Sequence, residues 1–344
     1  MKAMMLTGIR QMELRTLPDP EIVNPDDVLI KMLVSGICGS DIHYYTQGQI
    51  GSQVVSYPFS VGHEGSGVVV KTGSAVSSVK PGDIIAIEPA MPCHECDQCL
   101  SGRQHTCRKI RFLGCPGQAE GCLREYIILP ETSCIPLPSE LVPDHGAISE
   151  PLAIGVYSVR KAGKTAGLDT GILGFGPIGM SVMLALKAAG TKRIVVSEKI
   201  DERLAIAGKE GADMLINPLR ESVRERVYGE VPLGLDIVFE CCGQQETMDE
   251  AVKILKPGGK LVVVGIPEFE NWSVNVEDTR RKEISIQFIR RQVDCAEAAI
   301  ELMRSGKADT GNMVTHRFRL DEAKEAFDMV AAYRDGVMKA MIDF

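Results

Sequence analysis

The segment Thr170-Gly-Ile-Leu-Gly174-Phe175-Gly176-Pro177-Ile178-Gly179 places three glycines directly after a short apolar run. The apolar run predicts a strand, and the residues after the glycines predict a helix. Gly174 permits a tight turn, Gly176 lets a pyrophosphate approach the backbone, and Gly179 lets the helix pack closely on the sheet. The unpaired N–H groups at such a helix start attract phosphate. The segment predicts the start of a dinucleotide-binding domain; the alternative is a Gly-rich turn in a non-binding α/β domain.

Strand and helix patterns alternate after this segment. The predicted strands are Gly171–Leu173, Arg193–Val196, Met214–Ile216, Leu235–Phe239 and Lys260–Val264. The predicted helices between them are Pro177–Ala189, Glu202–Lys209 and Thr247–Leu255. Strands that alternate with helices form right-handed βαβ units and a parallel sheet.

Glu198 ends the second predicted strand, 19 residues after Gly179. A carboxylate at this position can accept hydrogen bonds from the ribose hydroxyls and repels a 2′-phosphate, which favours NAD over NADP. Two cations, Lys199 and Arg203, follow closely and weaken this preference. The predicted cofactor-binding residues are Gly174, Phe175, Gly176, Pro177, Ile178, Gly179, Glu198, Lys199, Arg203, Cys241, Val264 and Gly265.

The first 135 residues have a different texture, with short apolar runs, many turns and no long helical pattern. The clearest predicted strands are Val28–Val34, Val68–Val70, Ile84–Ile87 and Cys122–Leu129. This pattern predicts a barrel-like β domain. Farther along, the predicted helices are Ile148–Ala162, Ala296–Arg304 and Leu320–Val330, and the predicted closing strand is Lys339–Ile342.

Cys38 and His63 are the strongest candidates for a catalytic zinc site, since thiolate and imidazole suit zinc and a catalytic site keeps one position open. A third protein ligand is required. Glu64, next to His63, and Glu150, in Ser149-Glu-Pro-Leu152, are the two candidates, and the sequence leaves the choice open.

Three further side chains near Cys38 suit proton chemistry. Ser40 can pass the proton of an alcohol outward, and His43 can carry it to solvent. Asp41 can orient His63 from behind the metal. His43 as an ordinary surface histidine is the alternative.

Cys93-x-x-Cys96-x-x-Cys99-x7-Cys107 is the most specific pattern in the chain. Four thiolates at this spacing close a tetrahedral zinc site with no position left for water, so the site is structural. The alternatives are four unligated thiols or an iron–sulfur cluster. The surrounding pattern is not of the ferredoxin kind.

The remaining thiols are scattered and are predicted to be small core residues: Cys115, Cys122, Cys134, Cys241, Cys242 and Cys295. With 11 cysteines and no signal-peptide pattern at the N-terminus, we expect a cytoplasmic protein whose cysteines bind metal or stay reduced. A net charge of −8 disfavours nucleic acid and anionic membranes as partners, and no apolar run is long enough to span a bilayer.

These motifs resemble the zinc-containing medium-chain alcohol dehydrogenases, and among them the sorbitol (polyol) dehydrogenase branch. The resemblance covers nearly the whole chain. It rests on the glycine segment, the four-cysteine lobe and the motifs Gly36-Ile-Cys-Gly-Ser-Asp-Ile-His-Tyr44, Gly62-His-Glu-Gly-Ser-Gly67, Ser149-Glu-Pro-Leu152 and Val314-Thr-His-Arg-Phe318. It implies an α/β protein with a GroES-like β-barrel catalytic domain (1–150 and 288–344, zinc lobe at about 91–110) and a Rossmann NAD-binding domain (151–287).

The resemblance also implies roles for individual residues. Cys38, His63 and Glu64 match zinc ligands, and Glu150 matches a carboxylate that ligates the metal or holds its water. The residues that match substrate-contacting positions are Tyr44, Ile50, Phe112, Glu150 and Arg291. Gln292 departs from the tyrosine common in sorbitol dehydrogenases, so the substrate is expected to differ in detail.

We therefore expect an enzyme that contains one catalytic and one structural zinc per subunit. It transfers a hydride from a secondary alcohol of a polyol or sugar-derived substrate to NAD, giving a ketone. The resemblance further implies a homo-oligomer, a tetramer or a dimer. The alternatives are a threonine or vicinal-diol dehydrogenase on the same scaffold, a catalytically inactive NAD- and zinc-binding protein, and a zinc-dependent nucleic-acid binder.

Overall fold

Nineteen β-strands and ten α-helices make up the computed structural model, which describes residues 1–344. The strands are β1 (Lys2–Gly8), β2 (Gln11–Thr16), β3 (Asp27–Gly36), β4 (Gln49–Ile50), β5 (Gln53–Val54), β6 (Glu64–Thr72), β7 (Ile84–Ile87), β8 (Ala90–Met91), β9 (Arg111–Phe112), β10 (Tyr126–Pro130), β11 (Cys134–Pro136), β12 (Asp169–Leu173), β13 (Arg193–Ser197), β14 (Met214–Ile216), β15 (Leu235–Glu240), β16 (Leu255–Val263), β17 (Ser285–Phe288), β18 (Val314–Arg319) and β19 (Lys339–Asp343). The helices are α1 (Gly39–Gln47), α2 (Asp97–Leu100), α3 (Pro143–Ala162), α4 (Pro177–Ala188), α5 (Asp201–Lys209), α6 (Val223–Glu230), α7 (Gln245–Ile254), α8 (Val276–Arg281), α9 (Ala296–Arg304) and α10 (Ala323–Ala331).

The chain divides into two structural units. The first contains Met1–Glu150, Ala296–Ser305 and Val314–Phe344, and the second contains Pro151–Cys295 and Gly306–Met313. The sequence places the return to the first domain at residue 288, whereas the chain rejoins the first unit at Ala296. None of the ten helices combines the length and the apolar character needed to cross a membrane.

The first unit is built on a seven-stranded sheet with β3 near its centre. Its order is β11-β7-β6-β3-β19-β18, and β10 also pairs with β3. Along β3, Val28, Ile30, Met32 and Val34 are buried and alternate with the more exposed Leu29, Lys31 and Leu33. This period of two is typical of a strand with one face in the core. Each such buried aliphatic side chain stabilises the fold by about 1.5–3 kcal/mol.

The C-terminal strand β19 completes this sheet. It pairs antiparallel with β3, where Met341 lies opposite Gly36, and parallel with β18. Helix α10 packs beside it, and the rings of Tyr45 and Phe327 meet edge to face with centroids 5.4 Å apart. The end of the chain is therefore part of the core of the first unit.

The second unit is a doubly wound parallel sheet of order β14-β13-β12-β15-β16-β17. Helix α4 follows the glycine segment and is buried along most of its length. The predicted fold class, an α/β protein with a β domain and a doubly wound parallel-sheet domain, is confirmed.

Several elements were not predicted. They are α1, α2, α6, α8, β4, β5, β8, β9, β11, β17 and β18, whereas β1 and β2 lie in the N-terminal region where short, weakly patterned β segments were expected. Helix α1 contains one glycine, two tyrosines, a serine and a threonine among its nine residues, and all of these are weak helix formers. Tertiary contacts and caps stabilise it instead. The Asp41 carboxylate accepts a hydrogen bond from the Cys38 N–H, and Gly48 ends the helix in the left-handed region (φ 73°).

Candidate active site and metal centres

Cys38, His63 and Glu64 converge where β3 and β6 meet helix α1. Cys38 caps the N-terminus of α1, and Glu64 opens β6 directly after His63. One ligand atom from each of the three residues lies within 4.8 Å of the other two. The structure thus brings together the thiol, the imidazole and one of the two candidate carboxylates.

Asp41 holds the first two of these residues in place. Its Oδ2 accepts the Cys38 N–H at 3.0 Å, its Oδ1 accepts the Gly62 N–H at 3.1 Å, and Oδ1 lies 3.4 Å from Nδ1 of His63. Burial opposes protonation of His63, but the Asp41 carboxylate and the Cys38 thiol outweigh it and raise the pKa of His63 well above its usual range. These surroundings attract positive charge.

The donor set fits a zinc ion. Thiolate, imidazole and carboxylate are the zinc ligands found in proteins, and three protein ligands leave one position for substrate or water. The backbone makes room for the carboxylate at Gly36, where a Cβ would lie 2.2 Å from Oε2 of Glu64. Any other residue at position 36 would displace that carboxylate.

Glu64 has a second partner that the sequence analysis missed. The Nζ of Lys339, on β19, lies 2.7 Å from Oε1 and 2.5 Å from Oε2 of Glu64, and both side chains are only 1% exposed. Burial disfavours the ammonium, but Glu64 outweighs it and raises the pKa of Lys339. The available signal was a lysine at the start of the predicted closing strand Lys339–Ile342, whose other residues are apolar.

Glu150, the other candidate carboxylate, lies in α3 and is not part of the closely spaced group of three donors. Desolvation is the main cause that raises its pKa to about 7; His63 lowers that pKa, and Glu64 and Glu88 raise it. Glu150 is therefore electrostatically coupled to the site. Glu64 and Glu150 are therefore both kept as predicted candidates for the third zinc ligand.

Helix α1 carries Ser40, His43 and Tyr44 beside Cys38. The Tyr44 hydroxyl donates to Oε1 of Gln53 at 3.1 Å and lies 3.7 Å from Sγ of Cys115. Neither of these two neighbours was singled out from the sequence.

Two other predicted substrate residues belong to the same unit. The ring of Phe112, in β9, packs against the imidazole of His63 with centroids 5.4 Å apart. Ile50, in β4, is partly buried against the apolar cluster that contains Tyr44. The predicted role of both residues in substrate contact remains untested.

Arg291 and its neighbour Gln292 belong to the second unit and lie between β17 and α9. Arg291 adopts a left-handed backbone conformation (φ 51°) that is uncommon for a residue with a side chain. Gln292 is buried, and its Oε1 accepts the Cys295 N–H at 3.0 Å. Gln292, which departs from the family pattern, therefore holds the local backbone through this hydrogen bond.

The four cysteines of the lobe form a second donor group. The Sγ atoms lie 3.4 Å apart for Cys93 and Cys107 and 3.6 Å apart for Cys96 and Cys99. Hydrogen bonds from the backbone at Arg108 and Cys99 lower the pKa of Cys96 to about 6, whereas desolvation raises the pKa of Cys99 to about 12. The group fits the predicted structural zinc.

The glycine segment forms the predicted strand–turn–helix between β12 and α4. Gly174 has φ 92°, and a Cβ on Gly179 would lie 2.1 Å from the Gly174 carbonyl oxygen, so both positions require glycine. Glu198 follows β13 and is buried. Its Oε2 accepts the Phe175 N–H at 2.7 Å and its Oε1 accepts the Ile200 N–H at 2.9 Å.

Glu198 thus holds the glycine turn against the end of β13, a role that the sequence did not suggest. Each carboxylate oxygen keeps further acceptor capacity, so ribose contacts are compatible with these bonds. Arg203 is buried, and its guanidinium is the nearest group to the space beside Gly176. The same turn is therefore flanked by one anion and one cation.

Three other predicted cofactor residues meet at the carboxyl ends of β15 and β16. The Cys241 N–H donates to the Leu173 carbonyl, and the N–H groups of Val264 and Gly265 donate to the Glu240 carbonyl. In a doubly wound sheet, ligands bind at this edge.

The comparisons with known proteins agree with this architecture. The family model of the alcohol dehydrogenase GroES-like domain matches residues 24–139, and that of the zinc-binding dehydrogenase matches residues 177–305. The chain is 34% identical to sorbitol dehydrogenase of Bacillus subtilis over 99% of its own length and 97% of that protein. It belongs to the zinc-dependent alcohol dehydrogenase family.

Two solved dehydrogenase structures share its fold. A zinc-binding dehydrogenase from Sinorhizobium meliloti bound to NADP is 31% identical, with a TM-score of 0.92, and the match covers 100% of this chain and 99% of the other. The 2R,3R-butanediol dehydrogenase of Bacillus subtilis is 30% identical, with a TM-score of 0.90 and coverage of 100% and 99%. The predicted family resemblance is confirmed, and the protein is an oxidoreductase.

One prediction about the thiols of this zinc-dependent dehydrogenase is wrong. Cys115, Cys122, Cys134 and Cys295 are buried as predicted, but Cys242 is exposed and Cys241 is partly exposed. Both follow β15 at the carboxyl edge of the sheet, where the strand gives way to a loop. A Cβ on Gly174 would lie 2.4 Å from Sγ of Cys242, so this thiol flanks the glycine turn.

Proposed function

We propose that this protein is an NAD-dependent zinc dehydrogenase that oxidises a secondary alcohol of a polyol or sugar-derived substrate to a ketone. The observation that carries the proposal is the convergence of the partly buried Cys38 with the buried His63 and Glu64. The match to sorbitol dehydrogenase along almost the whole chain supports the substrate class.

In this proposal Cys38 and His63 hold the catalytic zinc, with Glu64 or Glu150 as third ligand. When bound, zinc supplies a Lewis acid for the alcohol oxygen and NAD supplies the hydride acceptor. Asp41 fixes the orientation of His63 from behind. Ser40 and His43, on the same helix, conduct the alcohol proton to solvent.

The residues proposed to contact the substrate in the first unit are Tyr44, Ile50, Phe112 and Glu150, and Arg291 is the residue proposed for this role in the second unit. Tyr44 supplies a hydroxyl beside Gln53, and Phe112 supplies an aromatic face beside His63. A polyol needs several polar partners along its chain, and the pair of Tyr44 and Gln53 offers such partners within the first unit.

Glu198 supports NAD as the cofactor. Its carboxylate is buried and therefore poorly hydrated, and it would repel the 2′-phosphate of NADP. The related Sinorhizobium meliloti structure is bound to NADP, and Arg203 supplies a cation beside the turn of this chain. NAD preference is therefore a matter for direct measurement.

A vicinal-diol dehydrogenase is the second candidate function. The fold match to 2R,3R-butanediol dehydrogenase favours it, since identity and coverage are similar to those of the other matches. A threonine dehydrogenase is the related alternative on this scaffold.

A substrate panel tests these proposals. The purified, zinc-loaded enzyme is given NAD or NADP with sorbitol, xylitol, butane-2,3-diol or threonine, and formation of the reduced cofactor is followed by absorbance. We expect the highest kcat/KM for a polyol with NAD. A higher kcat/KM for butane-2,3-diol or threonine would replace the polyol assignment, and no turnover of any secondary alcohol would contradict the enzyme assignment.

Three broader features are also proposed. The metal donors lie in the first unit and the glycine turn in the second, which supports a catalytic and a cofactor domain.

The edge strand β17 and the exposed Phe288 support assembly into a dimer or tetramer, which light scattering would measure. The reduced thiols support a cytoplasmic location.

A further inference from the structure

Lys339 is a buried cation at the centre of the first unit. Its side chain is 1% exposed, and its Nζ donates to both carboxylate oxygens of Glu64 and to the Ile37 carbonyl at 3.1 Å. The three donor positions of an ammonium are thereby filled. A buried lysine is tolerated only when it is paired in this way.

The partner of Lys339 is itself one of the three clustered donors. A carboxylate oxygen of Glu64 lies within 4.8 Å of the ligand atoms of Cys38 and His63. The same carboxylate is therefore within reach of two cations, the ammonium and a metal at the Cys38 and His63 donors. When one carboxylate interacts with two cations, its interaction with each of them is weaker than with one cation alone.

The backbone keeps both positions accessible. Gly36 leaves space beside Oε2 of Glu64, and β3 pairs Gly36 opposite Glu64 on one side and opposite Met341 on the other. Lys339 lies two residues before Met341, and its own backbone is held by pairing with Val314 of β18. The ammonium cannot follow the carboxylate freely, so any displacement of Glu64 toward the metal weakens its bonds to Lys339.

We propose that Lys339 is a positioning residue that keeps Glu64 an exchangeable metal ligand by competing with the metal for its carboxylate. This inference rests on the metal site of the proposed function. The competition keeps a coordination position available to water or substrate. Without the ammonium, the metal is the only cation left to neutralise a buried carboxylate, so Glu64 binds it permanently.

Metal release tests this proposal. Zinc-loaded enzyme is mixed with a chromophoric chelator, and release is followed in the parent, Lys339→Met, Lys339→Arg and Lys282→Met. Lys282 is the matched control, because its Nζ donates to three backbone carbonyls in the second unit. The release phase of the catalytic site is the one that Cys38→Ala removes.

We expect Lys339→Met to slow this phase about tenfold, a change of the size that removing an outer partner of a metal ligand produces, with its direction set by the lost competition for Glu64. Lys339→Arg restores the parent rate because it keeps the positive charge, and Lys282→Met leaves the rate unchanged. In the cobalt-substituted enzyme, Lys339→Met shifts the visible absorption spectrum because the ligand set changes. Adding Glu64→Gln to Lys339→Met abolishes the slowing.

An unchanged or faster release phase in Lys339→Met would overturn the proposal. If Lys339→Met does not fold, Lys339→Gln takes its place and must show the same slowing. A parent enzyme that binds no metal through Cys38 would refute the proposed function itself. If the parent binds metal and oxidises alcohols, but Lys339→Met releases the metal at the parent rate, this inference alone is refuted.

Discussion

At the scale of single residues, Asp41 shows how one carboxylate organises a metal site. The sequence suggested only that it orients His63. In the structure it also accepts the N–H groups of Cys38 and Gly62, so one side chain joins the loop before α1 to the loop before β6. Two candidate ligands from separate segments thus share a common anchor.

Glu198 has a similar double role, because it holds the glycine turn and is the proposed partner of the ribose hydroxyls. We expect Glu198→Ala to lower the ratio of kcat/KM for NAD to that for NADP by about tenfold or more, since a hydrogen bond to a charged group contributes about 1.5–3 kcal/mol. Steady-state kinetics with both cofactors measure this ratio.

Glu202→Ala is the matched control, since Glu202 is an exposed carboxylate on α5 and should leave the ratio unchanged. If Glu198→Ala has the same ratio as the parent, Glu198 does not select the cofactor.

At the scale of elements, hydrogen bonds between connecting segments stabilise the first unit. Glu131, between β10 and β11, accepts N–H groups from Ser77 and Ser78 in the loop between β6 and β7. These backbone hydrogen bonds, that of Ser78 foremost, lower the pKa of Glu131 from 4.5 to about 2. The folded state therefore favours the ionised carboxylate.

This pKa shift predicts a pH dependence of stability. Because the folded pKa is depressed, the stabilisation is present above about pH 4.5 and is lost as the pH falls toward 2. We expect Glu131→Ala to lower the Tm at pH 7 and to differ less from the parent at pH 3. Thermal unfolding across this pH range measures the difference, with the exposed Glu21→Ala as control. A difference independent of pH would contradict this reading.

The elements also show what a sequence pattern can predict. The parallel strands β12 to β15 were predicted closely because their apolar runs are fully buried and bounded by turns. Helix α1 was missed because caps and tertiary packing stabilise it rather than its own propensity. Local patterns report burial and turns well, and they report long-range stabilisation poorly.

At the scale of the whole molecule, two separate donor groups predict two metal centres with different roles. We expect about two zinc ions per chain in the parent and about one in both Cys38→Ala and Cys99→Ser. Cys38→Ala should reduce turnover on the order of 1,000-fold, as the loss of several kcal/mol would. Cys99→Ser should lower the Tm first, because structural zinc contributes to folding.

Elemental analysis, kinetics and thermal unfolding of the same preparations measure these effects. Cys134→Ser is the matched control, a buried thiol of the first unit outside both donor groups, and it should keep both zinc ions. An active Cys38→Ala enzyme without its second zinc would refute the catalytic role of that site.

The sequence by itself determined the features that depend on short spacings. The glycine turn, the four cysteines of the lobe and the adjacent His63 and Glu64 are fixed by local chain geometry, so their chemistry could be inferred directly. Only the tertiary structure decided what surrounds Glu64. Lys339 lies 275 positions away in the sequence and reaches Glu64 because β19 pairs with β3. Such strand pairing depends on the packing of the whole unit, which no local spacing records.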